Sequence, residues 1–556
     1  MAKNFIEIPT GKRTPQYRFF EMLPAFLSYG AIILLIVLSI FAPLLAAIYL
    51  LLFVFTLLVK AVVVAFQVTT ASRILIAARK VDWRGRLDNL ENPEKSLAAI
   101  APNKTWNSAL HHENMARIVA ETSRGAAKYP KPSDLYHAVI VATYNEGYEI
   151  LEPTIQSLLA SDYDPKRMIV AIAYEARGGA ATERTVMQLS HRYGNKFKAF
   201  LTFKHPENIP HEVIGKGGNI TFAGKELAKY LDVEKIAYKN VIVTTLDADN
   251  RPHEGYFSYV AYEFIVNPYR KNRSYQPIAV YFNNIWDAPA PMRVIATGNS
   301  FWNITVSMRP HALRNFASHS QPMDALAEMD FWSTRTVVED GHQYWRSYFH
   351  FKGDYSVVPI HVPIDQDAVL AATYWKTLKA QFIQLRRWAY GASDVPYVAV
   401  QLFTKRRVVP FWNSLGQLIR LIDSHLTWAI SAFIVTFGAW VPLILNQYSS
   451  RSIVAHELPD FISFLQKIAS VVLFVSVFWA FKLLPPRPAR YKRHRSFFMI
   501  AQWVLMPVTS IVYNASAAIV SQTRLLFGHY LEKFDVTDKA VRIQHRKKWY
   551  RKELEE

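Results

Sequence analysis

Asp247 and Asp249 are the acids best placed to do chemistry, because they lie one residue apart at the end of the β-branched run Val241 to Leu246. Such a run predicts a buried strand, and open α/β sheets bind ligands at the carboxyl ends of their strands. On an extended backbone, residues i and i+2 point to the same side, so both acids could share one divalent cation or divide between a cation and a sugar hydroxyl. The alternative is that they only cap the strand and begin a turn.

Two turns carry residue types that suit a phosphate-bearing ligand. Thr143-Tyr144-Asn145-Glu146 ends a β-branched run and precedes a helical pattern, where backbone amides can face a nucleotide. Gly215-Lys216-Gly217-Gly218-Asn219 joins a loop to a helix, and its glycines and lysine suit a diphosphate. Its spacing differs from that of a nucleoside-triphosphate P-loop. The alternatives are a helix cap by Asn145 or Glu146 and a glycine-rich turn with a solvated lysine.

A second acidic pair, Glu339-Asp340, follows the β-branched residues Val337-Val338. Transfer of a glycosyl group to a hydroxyl needs a carboxylate that takes the acceptor proton, and an acid at a strand end over the donor site could do this. The alternative is a solvated helix start, because acids are favoured in a first helical turn.

Gln384-Leu385-Arg386-Arg387-Trp388 follows a helical pattern that begins at Thr373. The spacing of Gln384, Arg387 and Trp388 allows all three to line one cleft. Trp388 offers an apolar plate for a sugar ring, and Arg387 offers a bidentate clamp for phosphate. The alternative is an interfacial helix whose Trp and Arg side chains lie at lipid headgroups.

The order and spacing of six motifs resemble membrane-embedded family 2 glycosyltransferases of the cellulose synthase and hyaluronan synthase type. The motifs, which cover the chain from about residue 137 to 540, are Thr143-Tyr144-Asn145-Glu146, Lys216-Gly217-Gly218-Asn219, Asp247-Ala248-Asp249, Glu339-Asp340, Gln384-Leu385-Arg386-Arg387-Trp388 and Phe534-Asp535-Val536-Thr537-Asp538-Lys539. The resemblance implies a GT-A fold and an inverting transferase that uses a nucleotide sugar, usually UDP-linked, with Mg²⁺ or Mn²⁺.

The resemblance also implies a role for each motif. Asp249 would bind the metal and the diphosphate, and Asp247 would contact the uridine or the sugar of the donor. Asp340, beside Glu339, would take the acceptor proton. Further donor contacts would come from Thr143, Tyr144, Asn145, Glu146 and Lys216. The acceptor and diphosphate cleft would be formed by Gln384, Arg387 and Trp388, and a gating loop by Phe534, Val536, Thr537 and Lys539.

The sequence departs from the family pattern at two places that bear on the donor. Where the family has an Asp-rich turn for uridine, this chain reads Ile172 to Gly179, with Glu175 as the replacement acid. The usual threonine before the acidic pair is Val338. The sequence is therefore compatible with a GDP-linked donor as well as with a UDP-linked donor.

The composition favours a membrane protein. The 556 residues are 51% hydrophobic and 14% aromatic and carry a formal charge of +20. Basic clusters lie beside apolar segments, as in Arg487 to Arg495, which favours anionic lipid over nucleic acid as the acidic partner. The sequence contains no cysteine, which excludes disulfides, thiolate metal sites and cysteine nucleophiles.

The apolar segments predict membrane helices on both sides of an α/β domain. Residues 22–59 carry no charge and contain Pro43 near the middle, which predicts two spans, 24–42 and 44–66. Residues 426–450 and 461–484 predict two more. Basic residues flank the first pair, which predicts a cytosolic catalytic domain. Residues 496–523 are long enough to cross, but a fifth crossing would put the basic tail outside, so we predict an interfacial or re-entrant element.

The predicted fold class is α/β, a cytosolic GT-A domain with transmembrane and interfacial helices on both sides. The predicted divisions are a cytosolic amino terminus (1–23), two transmembrane helices (24–68), a linker and docking segment (69–135), the GT-A domain (136–400), an interfacial helix (401–424), two transmembrane helices (425–484), a basic loop with an interfacial or re-entrant segment (485–528), and a cytosolic tail with the gating motif (529–556). The expected partners are a nucleotide sugar, a glycan or lipid-linked acceptor and membrane lipids. The alternative from a different functional class is a non-catalytic membrane scaffold or a transporter that retains the fold.

Overall fold

The computed structural model describes residues 7–126, 128–405, 407–446 and 453–533, and a mixed β-sheet lies at their centre. Across the sheet the strands are ordered β3-β2-β1-β4-β7-β6-β8-β5. Their bounds are β1 (Tyr136–Thr143), β2 (Met168–Glu175), β3 (Ala199–His205), β4 (Val241–Asp247), β5 (Arg251–Pro252), β6 (Arg273–Val280), β7 (Ser320–Pro322) and β8 (Ser356–Asp365).

The first half of the sheet is parallel, as the alternation of strands and helices predicts. β1 pairs in parallel with β2 and β4, and β2 pairs in parallel with β3. Every residue of β2 is buried, which is typical of a parallel strand covered on both faces. The carboxyl ends of β1, β2 and β4 therefore lie at one edge of the sheet. The short β7 runs antiparallel to both β4 and β6, and β6 pairs in parallel with β8.

The α-helices fall into three groups along the chain. Before the sheet lie α1 (Pro15–Phe41), α2 (Pro43–Ala78), α3 (Trp83–Asp88), α4 (Pro93–Ala99) and α5 (Ser108–Ser123). Among and after the strands lie α6 (Tyr148–Leu159), α7 (Gly179–Tyr193), α8 (Lys216–Val233), α9 (Tyr256–Val266), α10 (Ala290–Val306), α11 (Met323–Glu328), α12 (Glu339–His350), α13 (Tyr374–Ala389) and α14 (Asp394–Leu402). The last group is α15 (Phe411–Phe437), α16 (Val441–Leu445), α17 (Ile453–Leu483), α18 (His494–Ala501), α19 (Met506–Thr509) and α20 (Ser516–Leu526).

Helices cover both faces of the parallel strands. On one face, α6, α7 and α9 pack against alternate residues of β1 such as Val139 and Val141. On the other, α8 packs against Ala138 and Ile140. Because neighbouring strand residues point to opposite faces, this alternation produces two separate apolar layers. The start of α8, which carries Lys216, is thereby held at the carboxyl edge of the sheet.

The segment predicted as a linker and docking region, 69–135, contributes to the core. Trp83 of α3 stacks on Tyr259 of α9 with ring centroids 3.5 Å apart. Met115 and Ile118 of α5 are buried in the same apolar cluster. The segment is polar overall because its short helices bury one side only, and this is why its composition resembles that of a linker.

Within the described part of the chain, five helical stretches are long and apolar enough to cross a membrane: Pro15–Phe41, Pro43–Ala78, Phe411–Leu445, Glu457–Leu483 and His494–Leu526. The first two meet at Ala42, where the predicted break before Pro43 occurs. The predicted interfacial helix 401–424 is not a separate element, because α15 continues from Phe411 to Phe437. No proline falls within that stretch to end the helix, so it propagates across the predicted boundary.

The stretch His494–Leu526 is helical but changes helix type along its length. A 3₁₀ turn, Gln502–Leu505, and a π-helical segment, Ser510–Ala515, interrupt the α-helical pieces. The 3₁₀ turn ends two residues before Pro507, and the π-helical segment contains Asn514; both residues belong to the set from which a broken element is predicted. Its interfacial or re-entrant placement stays a prediction. The gating motif 534–539 lies outside the described residues.

Candidate functional site

Lys216 joins two predicted motifs at the carboxyl edge of the sheet. Its Nζ lies 2.9 Å from Oδ1 of Asp247 and 2.9 Å from Oδ2 of Asp340. Asp247 is the last residue of β4, Lys216 the first of α8, and Asp340 the second of α12. The structure thus brings together three predicted site residues that lie far apart in the sequence.

Gly217 allows this arrangement by a close approach of two elements. A Cβ at this position would lie 2.5 Å from the carbonyl oxygen of Ser333 and 3.2 Å from Cβ of Glu339. A side chain would therefore push α8 away from the start of α12. The glycine was predicted to admit a diphosphate, and the packing of α8 against α12 is the reason visible in the structure.

The acidic pair begins a helix rather than ending a strand. Val337 and Val338 form no strand, and α12 begins at Glu339. A two-residue β-branched run is too short to define its own structure, so the predicted strand end was wrong. The alternative of a helix start is therefore confirmed, but this start is not solvated, because Glu339 is only 2% exposed.

The charges in this cluster alter one another's protonation. Burial by itself lowers the pKa of Lys216, but the negative charges of Asp247, Asp340 and Glu339 outweigh burial and raise it above its ordinary value. Burial and the charge of Asp340 raise the pKa of Glu339 to about 7. Oε2 of Glu339 has no hydrogen-bond partner within the described chain. Lys216 is therefore a fixed positive charge, whereas Glu339 changes protonation near neutral pH.

His319 lies behind Asp340, and sequence reasoning missed it. Nε1 of Trp332 donates a hydrogen bond of 3.2 Å to Nε2 of His319, which leaves the ring proton on Nδ1. Nδ1 then donates to the carbonyl oxygen of Phe316 at 2.9 Å and lies 3.7 Å from Oδ1 of Asp340. Burial lowers the pKa of His319, so the ring is neutral. No spacing relates these residues, so the sequence carried no signal for the contact.

Asp249 follows β4 in a turn that other loops hold in place. The backbone N–H of Asp367 donates to Oδ2 of Asp249 at 3.1 Å, and Nδ2 of Asn283 donates to its carbonyl oxygen at 2.8 Å. Asp247 thus ends a strand and Asp249 forms part of the following turn, as expected if the two acids cap the strand and begin a turn. That role is compatible with ligand binding.

The two acids meet the requirements of a Mg²⁺ or Mn²⁺ site only in part. No group of three or more His, Cys, Asp or Glu side chains suited to a metal occurs in the described ranges. Mg²⁺ is usually held by one or two carboxylates together with phosphate oxygens and water. The residues present therefore fit a cation that completes its coordination with a bound diphosphate.

Tyr281, at the end of β6, links the acids to α13 and was also missed. Its ring centroid lies 6.0 Å from that of Trp388. Burial raises the pKa of Tyr281, the charges of Asp247 and Asp249 raise it further, and Arg387 lowers it. Tyr281 is therefore close to all these groups. Polar residues following a strand end could have signalled it, because that is where ligands bind in such sheets.

The predicted cleft residues of α13 have different surroundings. Arg387 and Trp388 lie near Tyr281, and Arg387 also acts electrostatically on Glu339. Gln384 accepts a hydrogen bond of 3.1 Å from Gln381 of the same helix. A cleft shared by Gln384, Arg387 and Trp388 stays a prediction.

The turn after β1 is closed by its own acid. The carboxylate of Glu146 accepts hydrogen bonds from Oγ1 of Thr143 at 2.8 Å and from the backbone N–H of Tyr144 at 2.8 Å. The helix cap predicted as the alternative does not form, because α6 begins after Gly147 without a side-chain cap. Asn219 of α8 ties the ends of β1 and β2 together through the carbonyl oxygens of Thr143 and Ala173. These contacts place the turn beside the start of α8, and its contact with a donor stays a prediction.

Glu175 at the end of β2 belongs to a second buried cluster. It forms an ion pair with Arg177 and lies 3.5 Å from Nδ1 of His205, whose Nε2 is 3.0 Å from Glu212. Burial lowers the pKa of His205, but contacts with both glutamates outweigh it and raise the pKa to about 9. All four side chains line a small cavity that ends at Ile214. The cluster lies on the side of the sheet where the sequence predicts recognition of the base.

The last described residues lead towards Lys216. Ile214, two residues before Lys216, forms a parallel bridge with Lys533. The backbone N–H of Leu531 donates to the hydroxyl of Tyr390 at 3.3 Å. Lys533, the last described residue before the predicted gating motif, therefore lies beside the Lys216 loop.

No protein-family model and no curated protein matches this sequence. Among solved structures, the chain is similar to a mannosyltransferase from Pyrobaculum calidifontis in complex with GDP-Man and Mn²⁺, with 15% identity, 79% of this chain and 100% of that chain covered, and a TM-score of 0.41. TarS from S. aureus in complex with UDP shares 10% identity over 73% and 95% of the two chains, with a TM-score of 0.35. GalNAc-T7 with UDP, GalNAc and Mn²⁺ shares 10% identity over 54% and 57%, with a TM-score of 0.29. The mixed sheet described above therefore has glycosyltransferases among its loose structural neighbours.

Proposed function

We propose that this chain is a membrane-anchored glycosyltransferase that moves a sugar from a nucleotide sugar to a glycan hydroxyl, with inversion at the anomeric carbon. The observation that carries the proposal is the position of Lys216, which lies 2.9 Å from both Asp247 and Asp340. This contact joins the donor-side acid, the lysine suited to a diphosphate and the acid suited to the acceptor proton.

In the proposed reaction, Asp340 accepts the proton of the acceptor hydroxyl as its oxygen bonds to the anomeric carbon and the bond to the diphosphate breaks. Lys216 supplies positive charge beside the leaving diphosphate. A divalent cation held by Asp247 and Asp249 would neutralise further charge on the same leaving group. A diphosphate that draws the ammonium of Lys216 towards itself would also free Asp340 for proton transfer.

The finer assignments belong to the same proposal. Membership of glycosyltransferase family 2, a UDP-linked donor and a cytosolic sheet domain rest on the order of the six motifs and on the basic flanks of the first two apolar helices. Repeated transfer to one growing polymer is compatible with these motifs. The gating motif would close over the donor from its position after Lys533.

A lipid acceptor such as a polyprenyl phosphate is the second candidate, and one contact favours it. Oγ of Ser521 in α20 donates to the carbonyl oxygen of Arg386 in α13. The helix that carries Trp388 thus packs directly against a stretch apolar enough to lie in a membrane. A non-catalytic scaffold is the third candidate, and a donor that binds without turnover would favour it.

The test is release of nucleoside diphosphate by the purified full chain in lipid nanodiscs, using a panel of UDP- and GDP-sugars. We expect turnover with one donor in Mg²⁺ or Mn²⁺, and its loss with chelator and in Asp249→Ala. Asp354→Ala is the matched control, because Asp354 pairs with Arg273 at an exposed position. Turnover that neither chelator nor Asp249→Ala reduces would refute the metal-dependent mechanism.

A further inference from the structure

Two arginines lie together where the sheet domain meets the membrane-length helices. Arg293 belongs to α10, and Arg495 belongs to α18, just after the basic loop that follows α17. Arg293 is only 2% exposed, and Nε of Arg495 is buried without a hydrogen-bond partner in the described chain. The two guanidinium groups donate hydrogen bonds to neutral oxygens, namely those of Gln502 and Ala288 for Arg293 and of Trp286 for Arg495. The guanidinium of Arg495 also lies over the ring of Tyr491, 5.2 Å from its centroid, which is a cation-π contact without a negative charge.

The positive charge of this pair is not balanced within the described residues. No carboxylate there forms an ion pair with Arg293 or Arg495, and the nearby acid, Asp287, is bound by Arg490 at 2.7 Å and by the hydroxyl of Tyr491. Burial and the charge of Arg495 lower the pKa of Arg293 to about 10. Two like charges in a buried position cost free energy unless an anion compensates them.

An apolar groove opens beside the pair. It is lined by Phe481 and Leu484 from the end of α17 and by Ile500 and Trp503 after the start of α18. Gln502, which accepts the hydrogen bond from Arg293, also lines it. Phe481 and Ile500 are 51% and 45% exposed. The groove therefore combines exposed apolar side chains with Gln502, which connects it to the guanidinium of Arg293.

The neighbouring helices indicate what fills such a groove. One wall of the groove lies at the end of the stretch Glu457–Leu483, and the other lies near the start of His494–Leu526. Both stretches are apolar enough to lie among lipid chains. Basic pockets between membrane helices bind anionic headgroups, because the phosphate replaces the missing counter-charge and the acyl chain covers apolar surface. A soluble anion would satisfy the arginines but leave the apolar walls exposed.

We propose that this groove binds one anionic phospholipid, with its phosphate at the partly exposed Arg495, whose charge adds to that of the buried Arg293, and an acyl chain along Phe481 and Ile500. The site is separate from the Lys216 cluster and does not depend on transferase activity. It differs from general attraction of the basic loop to a membrane surface, because it requires particular arginines rather than net charge.

The experiment is native mass spectrometry of the full chain in detergent, titrated with phosphatidylglycerol, phosphatidylcholine and a polyprenyl monophosphate. We expect one phosphatidylglycerol to be retained about tenfold more tightly than phosphatidylcholine. Arg495→Gln should remove this preference. Arg493→Gln, which removes the same charge from an exposed neighbouring position, should leave it unchanged.

Three outcomes would overturn the proposal. Equal losses in Arg493→Gln and Arg495→Gln would show attraction to net charge alone, and equal retention of the two phospholipids would exclude an anion-selective site. Tighter retention of the polyprenyl phosphate would assign the groove to an acceptor lipid instead. If Arg495→Gln does not fold, Ile500→Asp tests the same site from its exposed wall, and the expected result is loss of phosphatidylglycerol retention with an unchanged unfolding temperature.

Discussion

Lys216 and Arg293 are both buried cations at a contact between helices, and they differ in their partners. Lys216 contacts two carboxylates, and a third lies close enough to raise its pKa. Arg293 has no carboxylate partner within the described residues, and the charge of Arg495 lowers its pKa. We call the first cluster balanced because its cation lies between opposite charges of the same chain, and such a cluster can rearrange when a ligand adds charge. An unbalanced pair gains stability only when an external anion binds.

The largest expected effect concerns the acid in the balanced cluster. Asp340→Asn removes the proposed base while keeping the size of the side chain, and turnover should fall about 10²–10⁴-fold with donor binding retained. The measurement is kcat for release of nucleoside diphosphate together with donor affinity. Asp330→Asn is the control, because Asp330 forms an exposed pair with Lys225. Wild-type turnover in Asp340→Asn would remove Asp340 from the role of base.

The second prediction compares the two cations directly. Lys216→Met leaves Asp247 and Asp340 without their shared partner and should lower the free energy of unfolding by about 3 kcal/mol. This is the low end for a buried pair, since Asp247 is partly exposed. Arg495→Gln removes a repulsion from Arg293, so the unfolding temperature should stay constant or rise. Both are measured by thermal unfolding in the same detergent.

Lys225→Met is the matched control for Lys216→Met, because the exposed pair of Lys225 and Asp330 should contribute less than about 1 kcal/mol. If Arg495→Gln destabilised the chain as much as Lys216→Met, the contrast between a balanced and an unbalanced cluster would be wrong.

The third prediction uses pH to titrate the balanced cluster. The pKa of Glu339 is raised to about 7, so this side chain holds a proton in the folded chain where the unfolded chain has released it. Its contribution to stability is therefore complete below its ordinary pKa of 4.5 and declines as the pH rises towards 7. Unfolding temperatures measured across this window should fall in the wild type and stay flatter in Glu339→Gln.

His205 provides an internal control for that experiment. Its pKa is raised to about 9, so its stabilising contribution declines between its ordinary value of 6.5 and pH 9. Glu339→Gln should leave this upper decline unchanged. A flattened upper window would mean that the substitution disturbs the whole domain.

The smallest expected effect concerns Tyr281. Tyr281→Phe keeps the ring that packs near Trp388 and removes only the hydroxyl, which interacts electrostatically with Asp247 and Asp249. This substitution should therefore reduce turnover less than about tenfold. Trp388→Ala removes the proposed plate for the sugar ring and should reduce turnover more, mainly through a higher KM for the acceptor. The reverse order would place the hydroxyl of Tyr281 in the chemistry.

The parts of the site that could be predicted from the sequence share one property, which is a pattern within a single element. The strand that ends at Asp247, the helix that begins at Lys216 and the helix of Trp388 all follow from local apolar periodicity. The break before Pro43 follows from the chemistry of proline. Each signal lies within a few residues of the feature that it predicts.

The errors occur where a local pattern is too short or where tertiary packing overrides it. Val337 and Val338 look like a strand but lie before a helix, and the polar segment around Met115 looks like a linker but packs in the core. The boundary predicted at residue 424 disappears inside α15. In each case the deciding contacts come from elements far away in the sequence.

The sequence by itself determined the residue types available for chemistry, the parallel α/β order and the apolar helices on both sides. Only the tertiary structure decided that Lys216 lies between Asp247 and Asp340 and that His319 lies 3.7 Å from Asp340. It also decided that Arg293 and Arg495 are close enough for their charges to interact. The physical reason is that periodicity encodes which face of an element is buried. Charge balance depends instead on distances between elements, which the chain acquires only when its layers pack together.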